Sequence, residues 1–197
     1  NSWGRLGNFD AKASNNQMLM IDKCDSKECY DLSKLDTSKI TDMSSIFRNS
    51  NFNGDISNWN TSNITNMEWM FFKAEKFNSD ISNWDTSNVT SMERMFSFAI
   101  NFNQSVNFDT SKVISMLSMF YSAEKFNQPL NFDTSNVTDM SYMFRNTKSF
   151  NQALNFNTSN VKKMERIFAY SDNFNQPLNN WDVSKVTNMA GMFESSI

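Results

Sequence analysis

The sequence predicts a repeat solenoid of the α/β class, with one short parallel strand or two and one short helix in each coil of 24–25 residues. An aromatic or aliphatic residue returns every 24 or 25 positions, a run of Met and Phe at helical spacing follows it, and a Phe-Asn pair comes next. Self-similarity at such a period is typical of solenoids, in which neighbouring repeats bury each other's apolar face. The coils open at Leu35, Trp59, Trp84, Phe108, Phe132, Phe156 and Trp181.

The helix is predicted from four apolar or small residues in each coil. In the coil that opens at Trp84 they are Met92, Met95, Phe96 and Ala99. Positions i, i+3, i+4 and i+7 lie on one face of an α-helix, so we expect this face to be buried. Thr90 and Glu93 have the spacing of a capping box, which favours a helix start at this point.

The strands are predicted from alternation and from β-branched residues. Leu130-Asn131-Phe132 alternates apolar and polar, as a strand does, and a β-branched residue such as Val137 indicates a second short extended piece. Stacked coils are expected to pair these pieces in parallel, at about 4.8 Å per step. The Asn that follows each Phe, for example Asn103, is expected to satisfy backbone groups along the stack with its amide.

We divide the chain into an N-terminal cap, residues 1–34, and an array of about six and a half coils, residues 35–197. The array ends within a coil and has no polar capping unit, so we expect it to be truncated or to associate with another molecule at its open end. In the cap, Cys24 and Cys29 are five positions apart. A local disulfide, which implies an oxidising compartment, is one interpretation and two reduced thiols are the other.

Composition disfavours several function classes. The 197 residues include no His, so the commonest general base and metal ligand is absent. The net charge of −3 disfavours nucleic acid as a partner. No apolar stretch reaches the roughly 18 residues of a membrane span. Acidic residues such as Asp85 recur once per coil, whereas an active site is a single asymmetric constellation. We therefore expect no enzyme, no cofactor and no metal site, calcium on the Asp column included.

The repeat resembles the BspA-type leucine-rich-repeat surface proteins, and among them a mycoplasma-type lipoprotein repeat of unknown function. The matching unit, Phe-Asn-Gln-Pro-Leu-x-x-Trp-Asp-Val-Ser-x-Val-Thr-x-Met-x-x-Met-Phe, stands at Phe174 to Phe193 and recurs in degraded form from Leu35. The resemblance implies a leucine-rich-repeat-like solenoid on secreted or surface-anchored proteins, used in adhesion and recognition. It also implies an extracellular location, a protein or glycan partner on another cell, and membrane attachment only through an anchor outside these residues.

Binding is assigned to the positions that vary between coils. Two of them directly follow the Phe of the predicted helix, and a third lies between the paired Met columns. Aromatic and Arg side chains exposed on successive coils are typical of binding hot spots, while the other interpretation is that each ring packs laterally over its neighbour. The candidate binding residues are Trp69, Phe72, Phe98, Tyr121, Tyr142, Tyr170, Arg94, Arg145 and Arg166.

Two further functions stay open from the sequence. Coils that stack end to end are a means of building a surface layer, filament or virion coat, and the uncapped end motivates this alternative. Rows of Thr, as in ice-binding solenoids, are the other alternative, although Ile114 and Lys162 interrupt the second row. The first row is Thr61, Thr86, Thr110, Thr134 and Thr158, and the second is Thr65, Thr90, Thr138 and Thr187.

Overall fold

The computed structural model describes residues 32–196. Within them, the regular elements are a 3-10 helix at Leu32–Lys34 and a series of isolated parallel β-bridges between successive repeats. No helix in this part of the chain has the length and apolarity to cross a membrane. The bridges pair Asp42 with Asn66, Asn66 with Ser91, Ser115 with Asp139, Asp139 with Lys163, and Lys163 with Asn188. Each bridge joins equivalent positions, so the repeats lie side by side in parallel register.

The predicted short helix is wrong for every described repeat. Residues 67–74 form a run of turns, in which every second N–H bonds to the next repeat instead of four residues back. Trp69 N–H, for example, donates to the Glu93 carbonyl at 2.9 Å, whereas Phe72 N–H donates to Trp69 three residues back at 3.0 Å. An α-helix would use all of these N–H groups internally. The alternation leaves half of them for the neighbouring repeat.

Left-handed backbone at two positions per repeat produces this alternation. Trp69 has φ of 58° and Lys73 has φ of 55°, and no α-helix tolerates such values in its interior. The same two columns have positive φ in the other repeats, at Ser45, Asn49, Arg94, Phe98, Ser118, Ser122, Tyr142, Asn146, Arg166, Tyr170, Gly191 and Ser195. Since the conformation recurs whatever the side chain, it belongs to the architecture of the repeat.

The helical spacing nevertheless identified the buried face. The four residues that it selects in the second coil are fully buried: Met67, Met70, Phe71 and Ala74. Successive three-residue turns return side chains to one side at nearly the same interval as a helix does, so the pattern locates the interior without fixing the element. The prediction that the Met and Phe columns face inward is confirmed.

The predicted strand at Leu130-Asn131-Phe132 is also wrong, because these residues have no ladder partner. Parallel pairing occurs instead beside the second extended piece, where Thr65 N–H donates to the Thr41 carbonyl at 2.8 Å and Thr90 N–H donates to Thr65 at 2.9 Å. Leu130 and Phe132 remain buried, at 4% and 6% exposure. Their alternation with Asn131 therefore reports which side chains point inward, without a strand.

The core consists of like side chains stacked on like. The Phe four positions after the first Met of each turn segment stacks on the equivalent Phe of the next repeat. Their ring centroids are 5.3–5.9 Å apart and their ring planes are within 9° of parallel. These residues are Phe47, Phe71, Phe96, Phe120, Phe144, Phe168 and Phe193. The Phe of the Phe-Asn pair forms a second stack, with Phe77 and Phe102 centred 5.8 Å apart. Such stacking requires repeats of nearly equal shape.

Polar columns satisfy the backbone between repeats. The Asn of the Phe-Asn pair accepts, through its side-chain carbonyl, the N–H of its equivalent one repeat later, as Asn103 does from Asn127 at 3.0 Å. The acceptors are Asn53, Asn78, Asn103, Asn127 and Asn151. The expected role of this Asn is thus confirmed, although its side chains are partly exposed and do not line a buried corner. The first Thr row donates its hydroxyls to the next repeat, for example from Thr61 to the Asp85 carbonyl at 2.9 Å.

Asn103→Asp and Asn103→Ala test this Asn column. Asp retains the oxygen that accepts from Asn127, while Ala leaves that N–H without its partner. We expect Ala to lower the free energy of unfolding by about 1 kcal/mol and Asp to lower it by less than half of that. Urea denaturation at pH 7 measures both, and equal losses for the two variants would contradict the acceptor role.

Ser45→Gly and Ser44→Gly distinguish the turns from a helix. Ser45 has φ of 59°, in the column where Gly191 has φ of 62°, whereas Ser44 is absent from the left-handed positions. We expect Gly at Ser45 to maintain or raise the free energy of unfolding, by up to about 1 kcal/mol, and Gly at Ser44 to lower it by roughly 0.5–1 kcal/mol. In a helix both substitutions would destabilise the protein to a similar extent, so matched losses in thermal unfolding would refute the turn geometry.

Candidate functional site

The candidate binding residues occupy the surface side of the turn segment. Trp69, Arg94, Tyr142 and Arg166 share the first left-handed column, and Phe98 and Tyr170 share the second. Phe72, Tyr121 and Arg145 lie immediately before the second column. Left-handed backbone at bulky residues often marks a functional site. Here it carries no such meaning, because Ser and Asn hold the same φ in other repeats.

These side chains are half-buried and contact one another across the repeats. Tyr170 is the most exposed of the nine, at 37%. Trp69 and Phe72 have ring centroids 4.7 Å apart, Phe72 and Phe98 are 5.8 Å apart, and Phe98 and Tyr121 are 4.8 Å apart. The ring planes are inclined by 58–75°. The rings therefore pack laterally, as the second interpretation expects, and they also retain a solvent-facing part; their role in binding stays a prediction.

Cationic side chains lie over these rings. The Arg94 guanidinium is 4.4 Å from the Trp69 centroid, and the Arg145 guanidinium is within 5.3–5.9 Å of the rings of Tyr121, Tyr142 and Tyr170. Contacts of this type bring charge and aromatic surface together at an energy of about 0.5–1 kcal/mol each when exposed. Arg145 thus connects three aromatic side chains from three coils.

Two further cations belong to the same surface and were not assigned to it from the sequence. The Arg48 guanidinium is 4.9 Å from the Trp69 centroid, and the Lys73 ammonium is 5.5 Å from that of Phe72 and 5.7 Å from that of Phe98. Both occupy the variable columns that hold the predicted aromatic residues, and this shared position could have identified them from the sequence. We call the whole set the aromatic–cation row: Arg48, Trp69, Phe72, Lys73, Arg94, Phe98, Tyr121, Tyr142, Arg145 and Tyr170.

An acidic cluster adjoins the row at Arg166. Arg166 donates to Glu194 at 2.7 Å and to Glu165 at 3.2 Å, and Tyr142 and Tyr170 also donate to these two carboxylates. The hydrogen bond to Glu165 raises the pKa of Tyr142, and Arg166 lowers the pKa of Glu194. The predicted site residue Arg166 is therefore engaged within the protein, unlike the cations of the row.

The Thr rows do not form a continuous surface. The first row is 0–2% exposed and donates to backbone carbonyls, so its hydroxyls are not available to order water. In the second row the hydroxyls of Thr65 and Thr90 also donate to the preceding repeat, and Ile114, which is 57% exposed, interrupts it. Buried inner hydroxyls and an interrupted outer row give no observation in favour of ice binding.

The Asp column forms turns within each coil. Asp109, for example, accepts the N–H of Ser111 at 2.9 Å, and Asn60 accepts that of Ser62 in the same way at 3.1 Å. Hydrogen bonds from Ser111 hold the pKa of Asp109 below its usual value, against a small opposing effect of desolvation. Among residues 32–196, no cluster of three or more acidic, Cys or His side chains is arranged to hold a metal ion.

Comparison with known families identifies the family of this chain. The model of the family described as a Mycoplasma protein of unknown function, DUF285, matches residues 15–132 and again residues 105–197. The chain therefore belongs to this family. No functionally curated protein and no solved structure matches it. Cys24 and Cys29, whose pairing was predicted, lie outside the described residues, and the boundary between cap and array stays a prediction.

Asp109→Asn tests the turn column through its pH dependence. The lowered pKa of Asp109 means that its contribution to stability is complete above the unfolded-state pKa, near 3.9, and is lost as the pH falls through the lower folded-state value. Asn occupies the equivalent positions Asn60 and Asn157 and accepts the same N–H. We therefore expect Asp109→Asn to match the wild type within about 0.5 kcal/mol at pH 7.

Below pH 4 the two proteins should diverge, because the variant has one fewer carboxylate to protonate. Urea midpoints at pH 7, 4 and 2.5 check this, and the combined variant Asp85→Asn/Asp109→Asn/Asp133→Asn should flatten the acid loss further. Parallel pH profiles for the wild type and the triple variant would show that these hydrogen bonds do not favour the ionised form.

Proposed function

We propose that this chain is a non-enzymatic surface recognition module that binds a protein or a glycan through the aromatic–cation row. The observation that supports this most directly is the continuity of the row, in which ring and cation contacts link side chains from six coils, from Arg48 to Tyr170. Aromatic and Arg side chains supply most of the energy in typical recognition surfaces. A contiguous patch of them on the surface favours binding over a purely structural role.

The contacts between repeats support this proposal, because they hold the scaffold together along its whole described length. We propose that residues 35–197 form a solenoid similar to leucine-rich-repeat proteins, with turns in place of the predicted helices. The parallel bridges and stacked Phe columns support such an arrangement. Side chains held half-buried on a rigid surface lose less conformational entropy on binding than mobile ones do. A relation to BspA-type adhesins and a position outside the cell are parts of the same proposal.

We also propose that the chain is not an enzyme, and the reason is structural. The carboxylates of the Asp column recur once per coil and serve turns, and the Tyr142–Glu165–Arg166–Glu194 cluster consists of mutually satisfied groups. The hydroxyl–carboxylate contacts in both arrangements are thus explained by turn formation and by contacts between repeats, without a catalytic role.

Assembly through stacked coils is a second candidate function, and one observation favours it. In the last described coil three apolar side chains are about half exposed: Val183 at 47%, Met189 at 43% and Phe193 at 50%. Phe193 stacks on Phe168 at 5.6 Å and leaves part of its ring uncovered. A further repeat of the same geometry would bury these groups, whether it comes from the same chain or from another copy.

Trp69→Ala/Tyr142→Ala tests the recognition function. Truncation of two aromatic residues in the row should weaken binding at least about tenfold, because such residues typically contribute about 2 kcal/mol or more. Binding is measured by surface plasmon resonance against immobilised acidic and neutral oligosaccharides and against purified extracellular-matrix proteins. Ile114→Ala is the matched control, since Ile114 is exposed outside the row.

Far-UV circular dichroism and urea midpoints establish that the double variant is folded before binding is compared. Unchanged affinity of the folded double variant for every ligand bound by the wild type would contradict the proposal. Sedimentation velocity addresses the alternative: concentration-dependent polymers that Phe193→Ser abolishes, together with no binding to the panel, would favour assembly.

A further inference from the structure

The cations of the row are the feature that identifies a ligand class. Arg48, Lys73, Arg94 and Arg145 each lie over an aromatic ring, and within residues 32–196 none of them forms a salt bridge or a side-chain hydrogen bond. Other cations nearby are neutralised, as Arg166 is by Glu165 and Glu194. Four unpaired positive charges therefore lie along one surface of a chain whose net charge is −3.

The rings hold these cations in place and leave their N–H groups available. An Arg side chain has five N–H donors, and a ring face satisfies none of them fully. In Arg145 the Nε atom is buried and has no hydrogen-bond partner, so a ligand would meet the terminal N–H groups of the guanidinium rather than Nε. Oxygen atoms of an anion are the acceptors that a guanidinium recognises best, since two of them match its planar geometry.

We propose that the aromatic–cation row binds a sulfated polysaccharide, with the sulfate groups on the four unpaired cations and the sugar rings against the aromatic edges. This inference rests on the proposed recognition function and deepens it by naming the ligand. Arg48, Lys73, Arg94 and Arg145 come from four different coils, so a ligand must carry several anionic groups spread along its length to meet them all. A stiff, regularly charged polymer does so at a small cost in conformational entropy.

Acidic peptides and single-stranded nucleic acids fit the same surface less well. An acidic peptide loses more conformational freedom when it is ordered along the row. Bases need an open aromatic face for stacking, and two guanidinium groups, at 4.4 and 4.9 Å, already lie over the Trp69 ring. The ring planes of Trp69 and Phe72 are also inclined by 59°, which leaves no flat platform.

Isothermal titration calorimetry of the full chain with heparin tests the inference. We expect binding in 50 mM NaCl that weakens steeply as salt is raised, because the contacts are ionic. Arg48→Gln/Arg145→Gln should weaken binding at least about tenfold. Lys112→Gln/Lys185→Gln is the matched control: it removes the same charge from two lysines that donate to Asn88 and Asn160 outside the row, and it should change affinity less than about twofold.

Lys73→Gln keeps the test valid if the double Arg variant fails to fold, since Lys73 is exposed and its loss should still weaken heparin binding severalfold. Three results would each overturn the inference: no heparin binding at low salt, equal losses in the row variant and the control pair, or tighter binding of poly-glutamate or oligo-dT than of heparin. Neutral dextran should not bind. If heparin fails while another panel ligand still depends on Trp69 and Tyr142, the sulfated-glycan inference is lost and the recognition function stands.

Discussion

The hydrogen bond from every second backbone N–H of the turn segment to the next repeat is the constraint on which the rest of this structure depends. Met67, Trp69, Phe71 and Lys73 each donate to a carbonyl one repeat later. The intervening N–H groups close three-residue turns, so that the backbone of the segment is satisfied within and between repeats. Because this ladder fixes the register, each column of the sequence lies beside its own equivalents.

Register of this kind explains the composition of the core. Parallel rings such as Phe96 and Phe120, 5.5 Å apart, pack well only when each repeat places the same residue at the same height. The Asn column depends on the same condition, since Asn78 must lie opposite the N–H of Asn103. Columns therefore vary little where they face inward or bond to neighbours. The row residues also join neighbouring repeats through their backbone, but their side chains lie on the surface and are free of the demand for like on like.

Sequence periodicity predicted burial better than it predicted secondary structure. Met67, Met70 and Phe71 were placed inside correctly, but i+3 and i+4 spacing is shared by helices and by successive tight turns. Only the backbone φ values distinguish the helix from the turns. Trp69 and Lys73 are residue types that do not favour left-handed backbone, so the sequence did not indicate it. The sequence left the position of the inner Thr row open for a related reason: a hydroxyl that satisfies the neighbouring backbone is as compatible with the interior as with solvent.

The predicted site residues were brought together by the structure, yet their chemistry came from contacts that spacing cannot give. Arg145 and Arg166 are the same residue type in the sequence. Arg145 lies near three Tyr rings and forms no salt bridge within residues 32–196, whereas Arg166 is ion-paired with two carboxylates, Glu165 and Glu194. An ion-paired guanidinium has little charge left to offer, whereas one held on aromatic faces keeps its full charge and most of its donors. Rings thus orient the cations without neutralising them. That difference, more than the number of basic residues, is the reason why we propose an anionic ligand for this surface of an acidic chain.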